Sequence, residues 1–149
     1  MYKDQNGRYL VLYADDDADD VDLMMEAFSK FSRMSVITKA DGLAVLDFLY
    51  EVVKENIIPC LVILDINMPR LNGKETLKRL RKEEAFNEIP VVLFTTTASS
   101  ADEKFAQSLN AGYLIKPVDT SQLEIIADHL IAFCSDEVKK NILLKTNNT

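Results

Sequence analysis

Three features of the sequence predict an α/β fold built on a doubly wound parallel sheet of five strands. Short β-rich runs alternate with longer stretches of helical periodicity, the pattern of repeated βαβ units. The run 61–64 (Leu, Val, Ile, Leu) is apolar throughout, as a central strand covered on both faces must be. Three runs also stop abruptly at charge: 9–14 at Asp15 and Asp16, 61–64 at Asp65, and 113–115 at Lys116. Right-handed crossovers put helices on both faces of such a sheet and all its strand ends on one edge, where ligands bind.

Each element has a local reason. Strand one is residues 9–14. The helix after it carries Val21, Met24, Met25, Phe28 and Phe31 at spacings of three or four, one apolar stripe. Residues 36–40 form a short second strand closed by the Asp41-Gly42 turn, and a second helix over 43–56 buries some of Leu46, Leu49 and Val53. Pro59 precedes strand three. Residues 67–73 (Asn, Met, Pro, Arg, Leu, Asn, Gly) are turn formers, so a loop is expected at that strand's carboxyl end before a helix over 73–84. Strand four is 91–94, running into Thr95, Thr96 and Thr97; a helix over 101–109, a strand over 113–115 and a helix over 120–134 complete five β/α pairs. Residues 1–8 read as an N-terminal extension, 9–134 as the domain, and 135–149 as a tail, frayed or with a short helix near 138–144, with no output domain.

Composition narrows the function. A chain of 149 residues, 48% hydrophobic and 28% charged, suits one globular core. The apolar runs are too short for a membrane span or a signal peptide, which makes the cytoplasm the expected location and a membrane an unexpected partner. A net charge of −7 argues against nucleic acid as a ligand. The basic group Lys78, Arg79, Arg81, Lys82 reads as the outer face of a helix, Cys60 and Cys134 as buried small hydrophobes without metal spacing, and His129 as a surface or boundary residue without metal or catalytic partners.

The charged strand ends carry the chemistry. If the chain winds both ways from a central first strand, Asp15, Asp16 and Asp65 are neighbours, and three such carboxylates repel one another unless a cation sits among them. Mg²⁺ is the natural candidate, since it takes hard oxygen ligands and joins one or two carboxylates to a phosphate, and the backbone carbonyl of Asn67 offers a further oxygen. The donor set does not by itself choose the metal. A carboxylate is also a nucleophile for phosphoryl transfer, giving an aspartyl phosphate. Lys116 would spread the charge of the transferred group, and Thr95 would donate a hydroxyl to it.

In this order and spacing the residues resemble the receiver domains of two-component response regulators over roughly residues 9–133. Asp15 and Asp16 look like the acidic pair that holds Mg²⁺. Asp65, within Leu64, Asp65, Ile66, Asn67, Met68, Pro69 and with Gly73 beyond, looks like the phosphoacceptor. Thr95 and Tyr113 match the switch hydroxyl and aromatic, and Lys116 before Pro117 matches the phosphate-contacting lysine. The resemblance implies a flavodoxin-like (βα)5 fold of strand order 2-1-3-4-5, a cis bond before Pro117, and a stand-alone regulator phosphorylated by a sensor histidine kinase or histidine phosphotransfer protein. It implies signalling to an unknown protein target through the face of helix four, strand five and helix five, or phosphorelay, with slow autodephosphorylation in place of conventional enzyme turnover. Asn67, Thr96 and Thr97 would modulate access to the phosphate. This chain departs from the pattern where Gly112 is followed at once by Tyr113, a shortened turn, and where Thr96 replaces a smaller residue.

Two other functions fit parts of the pattern. A haloacid dehalogenase-like phosphatase also uses a strand-terminal Asp with Mg²⁺, but that chemistry wants a second acid two residues on, where this chain has Asn67. A phosphorylation-independent adaptor on the same fold would have no need of Asp65, Thr95 and Lys116 together. Asp17, Asp19, Asp20 and Asp22 extend the acidic run and read as helix caps and solvated surface, favoured by the helix dipole.

Overall fold

In the computed structural model, which describes residues 3–147, the chain runs β1 (Tyr9–Ala14), α1 (Ala18–Phe28), β2 (Met34–Lys39), α2 (Gly42–Val53), β3 (Leu61–Asp65), α3 (Gly73–Lys82), β4 (Val91–Thr95), α4 (Ser100–Ser108) and β5 (Gly112–Ile115). A 3₁₀ turn (Thr120–Gln122) leads into α5 (Leu123–Ile131), and α6 (Asp136–Asn147) follows. The strands form one parallel sheet in the order β2-β1-β3-β4-β5, as expected.

Alternation along the strands splits the interior in two. Val11, Tyr13, Ile63, Val92 and Phe94 face α1, α5 and α6, while Leu12, Ala14, Val62, Leu64 and Leu93 face α2, α3 and α4. The three inner strands are buried on both faces, hence their continuous apolar runs. Four helices begin at side-chain caps: Asp17, Asp41, Asn72 and Ser99 each accept from backbone N–H groups of the first turn.

Four sequence expectations need correction. Met25 is 43% exposed, because Val21, Met24, Ala27 and Phe28 already fill the stripe of α1 that meets the sheet. Phe31 is buried as expected, but from the turn after the helix. The bond before Pro117 is trans: no cis peptide occurs among the described residues, and trans is the ordinary state of an X-Pro unit by about 0.5 to 1 kcal/mol. The basic group on α3 is not all outer face. Arg81 is half-buried, its guanidinium donating to the carbonyls of Leu109 (2.7 Å), Ile89 (2.9 Å) and Asn110 (3.2 Å), which ties α3 to the turn before β5.

The segment after Cys134 is a docked helix. Val138 and Ile142 of α6 are buried in the same cluster as Tyr9 and Phe28, and Asn141 Nδ2 donates to Tyr9 Oη at 2.7 Å.

Candidate functional site

The register of the sheet assembles the site. Ala14 pairs with Leu64, so the next residues on β1 and β3 are Asp15 and Asp65; Thr95 pairs with Ile115, so Lys116 follows beside the end of β4. Carboxylate oxygens of Asp15, Asp16 and Asp65 lie within 4.8 Å of one another, Asp15 and Asp65 buried and Asp16 exposed. Lys116, only 8% exposed, reaches Asp15 Oδ2 at 2.7 Å, Asp20 Oδ2 at 2.9 Å and Asp65 Oδ1 at 3.3 Å. Its own N–H donates to the Thr95 carbonyl at 2.6 Å, fixing the lysine to the end of β4.

The backbone around Asp65 is held closely. Gly73 N–H donates to the Ile66 carbonyl at 3.0 Å, and a Cβ on Gly73 would lie 2.3 Å from the carbonyl oxygen of Asp65. Only a glycine lets α3 start this near to the acid. The intervening loop is tethered to the start of α2, where Gly42 N–H donates to the Leu71 carbonyl at 3.0 Å and Arg70 pairs with Asp41 at 2.7 Å.

Electrostatics follow from burial and neighbours. Asp65 is pushed up to about 6, chiefly by burial; Lys116 pulls it back down, while the charges of Asp15 and Asp16 push it further up. Burial works against the charge of Lys116, but hydrogen bonds to Asp15 and Asp20 outweigh it and hold the ammonium above its ordinary range. Three carboxylates, of Asp15, Asp20 and Asp65, thus share one ammonium, and the hard oxygens of Asp15, Asp16 and Asp65 fit a divalent cation.

The remaining expected residues fall around this centre. Thr95 is buried at the end of β4, its Oγ1 accepting from the N–H of Thr97 at 3.3 Å. Asn67, Thr96 and Thr97 are exposed on the two flanking loops. Tyr113 is not in the acidic cluster. Its hydroxyl donates to the Thr97 carbonyl at 3.0 Å and accepts from Ser99 N–H at 2.9 Å, so the aromatic closes the β4–α4 loop from β5 despite the shortened turn.

Two residues of the site were not expected. Tyr13, fully buried, donates its hydroxyl to Asp15 Oδ2 at 2.5 Å and is itself held well above its usual range, first by burial and then by that bond. Spacing held the signal, since residues two apart on a strand share a face. Asp20, expected as solvated surface, instead pairs with Lys116 across 96 residues of sequence. Its neighbour Asp17 does cap α1.

Comparison with known proteins agrees with this geometry. Residues 11–128 match the family model described as the response regulator receiver domain. The chain is 32% identical over 120 residues to the probable methanogenesis regulatory protein FilR2 of Methanothrix harundinacea, covering 78% of this chain and 77% of that protein. It spans 33% of the length of two further curated relatives. Among solved structures, the phosphorylated cyanobacterial phytochrome response regulator RcpA superposes with a TM-score of 0.78 at 25% identity, covering 87% of this chain and 96% of that one. The Mn²⁺-bound response regulator Rcp1 gives 0.71 at 29%, covering 83% and 92%. With its family model, its sheet order and its strand-end cluster in agreement, this chain belongs to the response regulator receiver domains of two-component signalling.

Proposed function

We propose that Asp65 is the phosphoacceptor of a response regulator receiver, phosphorylated from a phosphohistidine on a sensor histidine kinase or phosphotransfer protein. One observation carries this reading: a buried carboxylate at the end of the central strand, with the Lys116 ammonium 3.3 Å away. Asp65, pushed up only to about 6, is still ionised at neutral pH and can act as the nucleophile. Its oxygen bonds to phosphorus as the phosphorus–nitrogen bond of the donor breaks; the electron pair leaves with the imidazole, which takes up a proton. Lys116 and the Thr95 hydroxyl stabilise the equatorial oxygens of the moving group. Mg²⁺, held by Asp15, Asp16, Asp65 and the Asn67 carbonyl, supplies charge neutralisation when bound.

Phosphorylation adds about −1.5 to −2 charge at neutral pH and draws Thr95 and Lys116 toward Asp65. Thr97 and Ser99, which hold the Tyr113 hydroxyl, lie two and four residues beyond Thr95, so movement there reaches Tyr113. The face of α4, β5 and α5 is the output surface. It presents Ile115 (39% exposed), Val118 (fully exposed) and Ile125 (49%), the kind of patch that marks a protein partner. Water attack on the acyl phosphate makes slow autodephosphorylation a side activity, with Asn67, Thr96 and Thr97 lining the approach.

Residues 9–134 form the signalling unit in this reading, with 1–8 and 135–149 as extensions. No helix among the described residues is long and apolar enough to cross a membrane, and a cytoplasmic location follows from the proposed kinase partnership. Intact mass after incubation with acetyl phosphate and Mg²⁺ tests the first step. The expected result is one phosphoryl adduct in wild type and none in Asp65→Asn; no adduct in wild type, or an unchanged one in the variant, overturns it.

A further inference from the structure

Lys116 is committed elsewhere before any phosphoryl group arrives. An ammonium has three N–H donors. Here two are given, at 2.7 and 2.9 Å, to Asp15 and Asp20, and the contact with Asp65 is the longest of the three at 3.3 Å. Asp15 is fixed in place by three further constraints: it is fully buried at its side chain, accepts from Tyr13 Oη through Oδ2, and accepts from Asp17 N–H through Oδ1 at 2.9 Å. Asp20 is different. It stands in the first turn of α1, its side chain 31% exposed, and can turn to water at small cost.

We propose that Asp20 is a positioning residue that holds Lys116 back in the unphosphorylated state and must release it as phosphoryl transfer proceeds. The proposal rests on the reading of Asp65 as phosphoacceptor. In the transition state for transfer the charge lies on the equatorial phosphoryl oxygens, and Lys116, whose third donor already faces Asp65 at 3.3 Å, can bring a second donor to them only by taking it from Asp15 or Asp20. The exposed partner yields first. Because the Asp20 contact belongs to the starting state, losing it lowers the barrier to formation of the aspartyl phosphate. Hydrolysis behaves differently. There water attacks phosphorus, the bond to the Asp65 oxygen breaks, and inorganic phosphate leaves the regenerated carboxylate. Lys116 is already on phosphoryl oxygens before and during that step, so its rate is indifferent to Asp20.

The test compares rates of adduct formation from acetyl phosphate with rates of adduct decay after donor removal, at fixed Mg²⁺. Asp20→Asn is expected to raise the formation rate roughly fivefold, the scale of one ordinary net hydrogen bond, because Asp20 is partly exposed, and to leave decay within about twofold. Asp19→Asn removes the same charge from the exposed neighbouring position and is expected to change formation less than about twofold, since exposed charges are screened. Asp20→Glu, which keeps the anion, is expected to restore the slow formation rate. A crystal structure of metal-free Asp20→Asn supplies a readout independent of turnover, with Lys116 Nζ expected closer to Asp65 Oδ1 than 3.3 Å. Unchanged or slower formation in Asp20→Asn, or an equal gain in Asp19→Asn, overturns the proposal. Failure of wild type to form any adduct overturns instead the reading on which it rests.

Discussion

Asp41 and Asp65 both follow a strand, and both are nearly closed to solvent, at 4% and 8% exposure, yet their acidities move in opposite directions. Asp41 lies below the ordinary carboxylate range: the N–H of Ala44 stabilises its charge, burial opposes this, and Arg70 adds a hydrogen bond and an opposite charge. Asp65 is raised to about 6 because burial dominates and its ammonium is shared with two other acids. Depth and donors together therefore set the state of an acid: few atoms pack beyond the first contacts of Asp41, so its donors win, whereas Asp65 lies deeper at the sheet end and burial wins. Asp41 is satisfied and holds a helix to a loop, whereas Asp65 is left short of donors and so is available to react.

The largest expected effect is at Asp65. Replacing it with Asn removes the phosphoryl adduct altogether, yet the folded, metal-free protein becomes more stable at pH 7, because a charge that burial disfavours is gone. The sign follows from the raised value: a carboxyl moved from about 4 up to about 6 on folding loses stability as pH rises through that window. The advantage of Asp65→Asn disappears below about pH 4, where wild type is protonated in both states. Urea unfolding in chelator at pH 7 and at pH 3.5 measures it, and a variant less stable than wild type at pH 7 would refute the comparison.

Each acid also has a glycine packed beside it, and the two differ in what blocks a side chain. A Cβ on Gly73 meets backbone, Asp65 O at 2.3 Å and Ile66 Cα at 3.0 Å, whereas a Cβ on Gly42 first meets the Thr76 side chain at 1.9 Å and then the Leu71 carbonyl at 2.7 Å. Gly73→Ala is expected to cost about 1 to 3 kcal/mol and to exceed Gly42→Ala, since the three nearest atoms at Gly73 are all backbone whereas the nearest at Gly42 is a side-chain hydroxyl. Thermal unfolding of the pair decides it, and the reverse order would show that the Asp65 backbone is the more yielding of the two.

How much of this was legible in the sequence depends on the distance over which the controlling contacts act. Strand ends follow from local pattern and the cap at Asp17 from the acidic run, whereas the sheet order comes with the family resemblance and the caps Asp41, Asn72 and Ser99 carry no such reading. Asp15 with Asp16, Asp65 and Lys116 stand out because they terminate three apolar runs. Asp20 was read as a solvated acid because its partner lies 96 residues away and no local rule points to it. Arg81 was read as surface for the same reason, its acceptors being carbonyls 8 to 29 residues distant. Met25 shows the converse limit. Its spacing suits the apolar stripe, but the sheet has room for only part of that stripe.

Asp41→Asn separates the two terms that lower this acid. Asn still caps α2, so most of the cap's contribution, about 0.5 to 2 kcal/mol when lost to Ala, survives, and what disappears is the charge seen by Arg70. A depressed carboxylate adds stability above its unfolded value, and that stability goes as pH falls through its folded one. The gap between wild type and Asp41→Asn is therefore expected to be open at pH 7 and to close as pH falls below about 4. This is the mirror of Asp65→Asn, where the variant is the more stable at pH 7. A gap that does not narrow between pH 7 and pH 3 would mean that shape, not charge, sets the role of Asp41.

Arg70→Ala gives the smallest effect and tests the comparison from the cation's side. Arg70 is 64% exposed at its side chain, so its pair with Asp41 is partly screened, and removal is expected to cost less than about 1 kcal/mol. Its backbone sits at φ 63, a left-handed conformation that alanine tolerates no better, so strain does not change between the two. The change is still informative because Asp41 remains buried, with the backbone N–H groups of Ala44 and Leu43 as its remaining donors. If donors set acidity, Asp41 rises toward Asp65 in Arg70→Ala. The titration shift of the Asp41 carboxyl carbon by NMR reads this directly, and an unmoved midpoint would assign the depression of Asp41 to the helix cap alone.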